Sequence, residues 1–252
     1  MTYVSLPNLS VADPARGYLG SVSLEISPYD GMFHGNVGHY LSCGASALNT
    51  IAAVLQLGGN AAPHRMLDFG AGAGRVTRWL KAAFGDAEIE ACDIRESDVA
   101  FCRDRLGVKA WTSRVEIDRL AAPNTYDLIW AGSVLTHLSA EMTTGILRRW
   151  LDWTNPGGLV IATTHGRTAI EFAKIGRVTY IGSDRWLQVI DDYRASGYGY
   201  ADYIDQPGYG VSLTSLAWTA GLVERWPDVR LVAIGERAWD EHQDVLALQK
   251  LG

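Results

Sequence analysis

Met66-Leu67-Asp68-Phe69-Gly70-Ala71-Gly72-Ala73-Gly74 is the stretch that decides the fold of this chain. An apolar run ends in a carboxylate, and glycine then occupies every second position from 70 to 74. Glycine readily adopts positive φ and has no Cβ, so such a turn lets the backbone approach another group closely. The next segment, 75–84, carries apolar residues at helical intervals. The pattern predicts a strand, a glycine turn and a helix, which together are typical of a nucleotide-type cofactor site.

The residues beside the glycines indicate which cofactor to expect. A dinucleotide fingerprint, G-x-G-x-x-G, directs backbone amides and a helix N-terminus at a pyrophosphate. Here Arg75 stands at the third glycine position, and Asp68 would repel a pyrophosphate. S-adenosylmethionine has no phosphate and carries an ammonium and a sulfonium, so an acid next to an open backbone suits it better. We therefore expect that cofactor, and an NAD(P)-dependent oxidoreductase on a similar fold is the alternative.

A second acid follows the next predicted strand, 88–92. Asp93 stands where both cofactor families place a carboxylate that accepts the ribose hydroxyls. It therefore indicates a nucleoside without choosing between the two families.

Composition excludes several classes of partner. The chain has 252 residues, of which 48% are hydrophobic and 20% charged, and its net charge is −6 with a pI near 5.5. A nucleic-acid partner is not expected, because binding phosphates needs a basic surface. The three cysteines have no C-x-x-C spacing, which favours a reducing compartment and no metal site. The sequence offers neither a signal peptide nor an apolar run of about 18 residues, so we expect a cytoplasmic protein without a membrane partner.

Alternation of helices and strands predicts a parallel sheet whose ligand lies at the carboxyl ends of the strands. Residues 1–36 are interpreted as an N-terminal arm or lid, and 37–252 as one domain that begins with a helix over 39–57. The predicted strands after the glycine turn are 88–92, 108–112, 126–131 and 158–164, and the predicted helices are 95–106 and 139–153.

The end of the chain is less regular. A segment at about 166–211, rich in tyrosine and glycine near its end, is too long for an ordinary connection and is interpreted as a substrate lid. Two further strands, 230–234 and 244–248, are separated by a short connection and are predicted to pair antiparallel.

With these elements placed, the chain resembles the class I S-adenosylmethionine-dependent methyltransferases, most specifically through LDFGAGAGR at 67–75. It is similar to a bacterial subset of them through YDLIWAGSVLTHL at 126–138, PGGLVIATTHG at 156–166 and HQDVLAL at 242–248. The resemblance implies an α/β, Rossmann-like, doubly wound sheet of seven strands, mostly parallel with an antiparallel last strand. The arm and initial helix, together with a lid insertion before the sixth strand, would extend it.

The resemblance also implies a reaction and an acceptor. A methyl group would pass from S-adenosyl-L-methionine to a small-molecule or glycan acceptor, leaving S-adenosyl-L-homocysteine. Members of the subset often occur beside glycosyltransferases or biosynthetic enzymes. The chain lacks the motifs of amino-methylating and cytosine-methylating members, which leaves a hydroxyl oxygen as the expected acceptor atom. A homodimer is a further possibility, and a non-catalytic cofactor-binding partner protein is another alternative.

Carried onto this sequence, the family's cofactor contacts fall on ten residues. Gly70 and Gly72 would line the methionine portion of the cofactor, and Asp68 would hold its amino group. Asp93 would bind the ribose, Ile94 would pack on the adenine, and Thr112 or Ser113 would stand near the adenine amino group. The remaining three are Ser133 facing the cofactor, Tyr40 closing over it, and Arg75 near its carboxylate.

Three histidines are candidate catalytic bases. His137 and His165 follow the fourth and fifth strands, and His242 opens the last strand. All three are expected at one edge of the sheet, where a neutral imidazole can accept a proton from an alcohol. His165 ranks above His137, because His137 begins a helix and could instead cap it.

Overall fold

A computed structural model describes residues 13–59 and 62–252 of the chain. In the described part, seven strands form one sheet in the order β3-β2-β1-β4-β5-β9-β8, and β6 and β7 form a separate hairpin. The strands are β1 Arg65–Phe69, β2 Glu88–Asp93, β3 Lys109–Thr112, β4 Tyr126–Ala131, β5 Thr154–Thr164, β6 Tyr198–Tyr203, β7 Gln206–Thr214, β8 Val229–Trp239 and β9 Gln243–Lys250. The α-helices are α1 Val37–Gly58, α2 Thr77–Ala83, α3 Glu96–Asp104, α4 Ala140–Trp153, α5 Arg167–Lys174, α6 Ser183–Ser196 and α7 Leu216–Val223.

The sheet has the predicted directions. Strands β1 to β5 pair in parallel, while β9 runs antiparallel to both β5 and β8. This is the Rossmann-like, mostly parallel sheet of seven strands with an antiparallel last strand, as predicted. Because parallel strands end at the same edge, the turns after β1, β2, β4 and β5 converge there.

Helices cover both faces of the sheet. Side chains of each strand point alternately to the two faces, so neighbouring residues pack against different helices. Leu67 of β1 packs in the core beneath α4 and α7, whereas its neighbour Met66 packs on the other face beneath α1 and α2. Ile129 and Trp130 of β4 divide in the same way. Successive residues of a strand point to opposite faces, so these apolar runs supply both cores at once.

The first helix is longer than predicted by a residue or two at each end. Asn36 caps α1 through its side chain, and Gly59 ends it in a left-handed conformation at φ 65°. By length and composition alone, α1 could cross a membrane. It contacts α2 and β8, however, and a core helix passes the same test.

Two segments differ from the sequence-based expectations. Strand β5 begins at Thr154 instead of the predicted position 158, so the segment Asn155-Pro156-Gly157-Gly158 lies within it, where the pairing with β4 shifts register. The segment at about 166–211 is regular and contains α5, α6 and most of the β6–β7 hairpin. Its apolar residues pack on one another in a small core of their own, and its action as a lid stays a prediction.

The arm is partly described. Its first twelve residues lie outside the described part, and a short 3-10 helix, Pro14–Tyr18, packs against α1 and α2. Arg78 of α2 is buried and fixes the arm by donating from Nη1 to the carbonyls of Ser23 at 2.9 Å and Glu25 at 2.7 Å. The arm therefore lies on the glycine turn that precedes α2.

Gly74→Ala is expected to destabilise the protein more than Gly176→Ala. Both glycines have positive φ, 80° and 70°, which costs an L-residue about 1–2 kcal/mol. At Gly74 an added Cβ would also lie 2.3 Å from Leu106 Cδ1, a buried side chain, whereas nothing lies within 4 Å at Gly176. Overpacking adds about 1–3 kcal/mol. Urea unfolding of both variants measures the difference, and equal losses would contradict it.

Candidate functional site

A cavity of about 660 Å³ opens where the parallel strands end. The β1–α2 glycine turn forms its floor, and residues 30–32 of the arm, the β4–α4 loop and the insertion form its walls. Ten of the thirteen predicted site residues line it: Asp68, Gly70, Gly72, Arg75, Asp93, Ile94, Ser113, Ser133, His137 and His165.

The other three predicted residues lie outside the lining. Tyr40 is buried behind Asp30, to whose Oδ2 its hydroxyl donates at 2.5 Å. His242 stands behind Tyr180, with 2.5 Å between the tyrosine hydroxyl and Nε2. Thr112 is exposed at the end of β3. Tyr40 and His242 can therefore act on the cavity only through residues that line it.

Asp93 ties the glycine turn to the end of β2. Its Oδ2 accepts from the amide of Gly72 at 2.8 Å, and its Oδ1 accepts from the amide of Arg95 at 3.0 Å. The amides of Gly70 and the next residue both donate to the Cys92 carbonyl at 2.9 Å. Each carboxylate oxygen keeps acceptor capacity toward the cavity, because an ionised carboxylate offers about four lone-pair directions.

The turn also requires glycine at its first position. Gly70 has φ 71°, and a Cβ there would lie 2.6 Å from Val134 Cγ2 in the loop after β4. The loops after β1 and β4 therefore pack with no room for a side chain between them, and the backbone of Gly70 forms the cavity surface.

Asp68 is a buried acid with an unusual proton affinity. It is 2% exposed, and its Oδ2 accepts from the Thr77 hydroxyl at 2.6 Å. Burial raises the pKa of Asp68 to about 7; the Thr77 hydrogen bond opposes this, and the nearby charge of Asp93 adds to it. A cation in the cavity would favour the ionised form of this carboxyl.

Two apolar side chains line the cavity near the ends of β2 and β3. Ile94 and Val115 line it, yet they are 56% and 62% exposed. Their apolar surface is thus available to a ligand. Asp98 lies nearby with a buried carboxylate whose Oδ1 has no hydrogen-bond partner in the described part of the chain. Sequence reasoning missed Val115 and Asp98, because one looks like a loop residue and the other like an ordinary acid in the first turn of α3.

Ser133 is held in a strained conformation at the cavity edge. Its φ is 60°, which non-glycine residues adopt rarely. Its amide donates to Thr163 Oγ1 at 2.8 Å, and its hydroxyl accepts from Gln243 Nε2 at 2.7 Å. Thr163 in turn donates to Gln243 Oε1 at 2.5 Å. This network joins the loop after β4 to β5 and β9, and Gln243 lines the cavity.

His137 has a fixed ring orientation. Its Nδ1 donates to the Gly210 carbonyl at 2.9 Å, and its ring stacks on Tyr209 with centroids 4.8 Å apart. That hydrogen bond assigns the proton to Nδ1 and leaves Nε2 as the acceptor atom. Burial lowers the pKa of His137. Ser139, rather than His137, caps α4, since its hydroxyl accepts from the Met142 amide at 3.2 Å.

His165 is the more deeply buried of the two lining histidines, at 4% exposed. Its Nδ1 has no hydrogen-bond partner among the described residues. Its ring lies 4.9 Å from that of Tyr180 and 5.3 Å from that of His242, measured between centroids. Burial, with smaller contributions from His242 and His137, lowers the pKa of His165 to about 3. The imidazole is therefore neutral at neutral pH.

The cations near the cofactor turn have different partners. Arg78 is saturated by backbone carbonyls, because besides the arm it donates from Nε to Gly74 O at 2.9 Å. Arg75 lines the cavity, and its guanidinium lies 5.5 Å from the ring centroid of Trp239. Of the two arginines, Arg75 is thus the one that faces a ligand.

Comparison with known proteins finds a family match for the middle of the chain. Residues 67–160 match a family model described as a methyltransferase domain. Over 108 residues the chain is 30% identical to the malonyl-[acyl-carrier protein] O-methyltransferase of Bacillus cereus, which covers 42% of this chain and 39% of that protein. Over 101 residues it is 33% identical to N-terminal Xaa-Pro-Lys N-methyltransferase 1 of Ailuropoda melanoleuca, covering 38% and 44%. The matches thus span about two fifths of each relative.

Among solved structures, the plantazolicin methyltransferase BpumL in complex with S-adenosylhomocysteine superimposes with a TM-score of 0.56. It is 17% identical, and the alignment covers 85% of this chain and 84% of that one. At that identity the likeness concerns the fold. Residues 67–160 therefore match the methyltransferase-domain family, and the sheet has the fold of the class I S-adenosylmethionine-dependent methyltransferases.

His165 should make the stability of the protein depend on pH. Its pKa is 6.5 when unfolded and about 3 when folded, so the unfolded state binds more protons between these values. The contribution of His165 to the free energy of unfolding is therefore complete above pH 6.5 and is lost as the pH falls from 6.5 toward 3. From pH 7 to pH 5 the loss is about 2 kcal/mol. His165→Phe should lack it, whereas the exposed-histidine variant His64→Ala should behave as wild type. If denaturant unfolding shows that wild type and His165→Phe lose the same free energy of unfolding between pH 7 and pH 5, the assignment to His165 is refuted.

Proposed function

We propose that the protein transfers a methyl group from S-adenosyl-L-methionine to a hydroxyl oxygen of a small planar acceptor and releases S-adenosyl-L-homocysteine. One observation carries this proposal: a single cavity is lined by two acids and a glycine turn together with two histidines whose pKa values are lowered and several tyrosine rings. We call the part beside the turn the cofactor end and the part beside the tyrosines the acceptor end. The Bacillus cereus relative, named as an O-methyltransferase, supports the choice of oxygen.

At the cofactor end, each polar group has a matching partner. Asp68 would pair with the amino group of the methionine portion and Arg75 with its carboxylate, so both charged groups of the amino-acid end meet opposite charges. Asp93 would accept the ribose hydroxyls. Ile94 and Val115 would cover the two sides of the adenine with apolar surface. When bound, the cofactor supplies a methyl group on a positively charged sulfur.

A dinucleotide fits this end less well. The carboxylate of Asp68 lies at the strand end before the turn, and Arg75 replaces the third glycine, which in a dinucleotide site lets the helix pack closely on the strand. The NAD(P)-dependent alternative is therefore not favoured.

The acceptor end is aromatic. Tyr180, Tyr203 and Tyr209 of the insertion line it together with the two histidines. Aromatic faces bind planar apolar groups well, while their hydroxyls and ring nitrogens can orient a polar substituent. A phenolic or similar flat hydroxylated molecule suits these walls better than a glycan. The insertion would then act as the predicted substrate lid, because it supplies the rings that enclose the acceptor.

His137 is the better base of the two lining histidines. The Gly210 carbonyl fixes its tautomer and leaves Nε2 free to accept the hydroxyl proton. His165, with a pKa of about 3, takes up a proton poorly near neutral pH, so it would orient the acceptor by hydrogen bonding. This reverses the order that the sequence suggested. Alignment of hydroxyl oxygen, methyl group and sulfur would supply much of the remaining rate enhancement.

Methyl transfer can be tested directly. The full chain is incubated with methyl-labelled S-adenosyl-L-methionine and acceptors of three kinds: phenols, sugars and primary amines. Labelled product is expected with phenols. Labelling of sugars or amines alone would overturn the planar hydroxyl acceptor. Cofactor binding without labelling of any class would favour a non-catalytic partner protein.

Cofactor affinity should depend on pH through Asp68. Below its pKa of about 7 in the free protein, the carboxyl must lose a proton before it can pair with an ammonium. Affinity for S-adenosyl-L-homocysteine, measured by calorimetry, should therefore rise with pH and level off above about 7. Below that value the slope approaches about tenfold per pH unit. Asp68→Asn should bind more weakly, with a flat profile; a pH-dependent profile in this variant would assign the proton to another group.

Replacement of His137 should separate catalysis from binding. His137→Gln should retain affinity for S-adenosyl-L-homocysteine and lose turnover by about 10²-fold or more. His165→Gln should mainly raise KM for the acceptor, because its proposed part is orientation. If His165→Gln instead abolishes turnover while His137→Gln is active, the two roles must be exchanged.

A further inference from the structure

A second cluster of ligand-type side chains lies away from the proposed reacting centre. His39 and Cys43 stand four residues apart on one face of α1, and Asp240 lies in the turn between β8 and β9. One donor atom from each lies within 4.8 Å of the others. No other group of this kind was found among the described residues. Nothing in the proposed methyl transfer uses these three side chains.

The distances match those of a metal site. Zinc binds thiolate sulfur at about 2.3 Å and imidazole nitrogen at about 2.0–2.1 Å, so tetrahedral geometry places the two donors about 3.5 Å apart. In the structure, Cys43 Sγ lies 3.6 Å from His39 Nε2. Asp240 Oδ2 lies 3.9 Å from the same nitrogen. A small rotation of the exposed His39 side chain would bring the carboxylate into the tetrahedral arrangement.

The surroundings hold two of the three ligands in place. Cys43 is 2% exposed, and the backbone amide of Asp240 donates to Ser46 Oγ of α1 at 2.9 Å. The His39 side chain is 58% exposed and gives an ion a path from solvent. A thiolate and an imidazole favour zinc or a similar divalent transition metal over calcium or magnesium.

We propose that His39, Cys43 and Asp240 bind one zinc-type divalent cation, with water as the fourth ligand. Coordination replaces the thiol proton, which passes to solvent, and changes no oxidation state. The ion joins α1 to the β8–β9 turn. Trp239, the residue before Asp240, lines the cofactor cavity and donates from Nε1 to the Cys43 carbonyl at 2.9 Å. The ion therefore braces one cavity wall from behind, whether or not the proposed function is correct.

The absence of C-x-x-C spacing predicted no metal site, because spacing along the chain does not report residues that meet only in the fold. The H-x-x-x-C pair at 39–43 is a weak signal alone, and its third partner belongs to the other end of the sequence. The fold brings them together through the contact between α1 and β8.

Cobalt titration of the full chain tests the site. The purified protein is treated with a chelator, freed of it, and titrated with Co²⁺, whose visible and near-ultraviolet absorption reports tetrahedral coordination and a thiolate ligand. We expect one equivalent bound with both signals, followed by displacement with Zn²⁺. Absence of a thiolate signal in a folded protein overturns the proposal.

Variants identify the ligands. His39→Ala, at an exposed position, should fold normally and bind Co²⁺ at least about tenfold more weakly. His64→Ala removes an exposed histidine elsewhere and should bind as wild type. Cys43→Ser should lose the thiolate signal, and if that variant fails to fold, His39→Ala and Asp240→Asn still decide. Zn²⁺ should raise the unfolding temperature of the wild type and of His64→Ala but not of His39→Ala. Equal shifts in all variants would place the ion elsewhere.

Discussion

The hydrogen bond from the Gly72 amide to the Asp93 carboxylate is the interaction on which the site depends. It joins the turn after β1 to the end of β2, at the point where the sheet presents its strand ends. Gly70 lies against Val134 and Gly74 against Leu106, so the turn has no room to shift toward either neighbouring loop. Because the turn is held on three sides, its backbone need not reorganise when a ligand binds in the cavity. Such preorganisation lowers the entropy cost of binding and so favours affinity.

The same arrangement sets the electrostatics. Asp93 is partly exposed and satisfied by two amides, whereas Asp68 is buried and has one hydroxyl partner. Two acids near one turn are unfavourable when both are charged, and burial places the extra proton on Asp68. The free site is therefore poised to exchange that proton for a bound cation. Such an exchange favours an ammonium over an anion at this strand end.

Much of the fold follows from the sequence because its signals are local. Apolar strands such as 126–131 and the alternation with helices predict a parallel sheet, and the short connection before β9 predicts its reversal. The position of the predicted residues beside the turn on the cavity wall follows for the same reason, and their contact with a cofactor stays a prediction. Val115, Asp98 and Tyr180 were missed because they reach the cavity through packing between segments distant in sequence. The misplaced start of β5 has a different cause: Asn155-Pro156-Gly157-Gly158 carries strong turn signals, but pairing with β4 on either side of a bulge overrides them.

The two lining histidines illustrate why position after a strand does not assign a role. Both follow strands at the same edge and both face the cavity, yet their rings meet different surroundings. His137 donates a hydrogen bond to the Gly210 carbonyl of the insertion, which orients the ring and leaves Nε2 available. His165 lies between the rings of Tyr180 and His242, and its Nδ1 has no hydrogen-bond partner within residues 13–59 and 62–252. A buried nitrogen of that kind costs free energy unless a ligand satisfies it, so the proposed acceptor should carry a polar group at that point. The insertion thus determines the surroundings of both histidines and, in the proposed reaction, the shape of the acceptor.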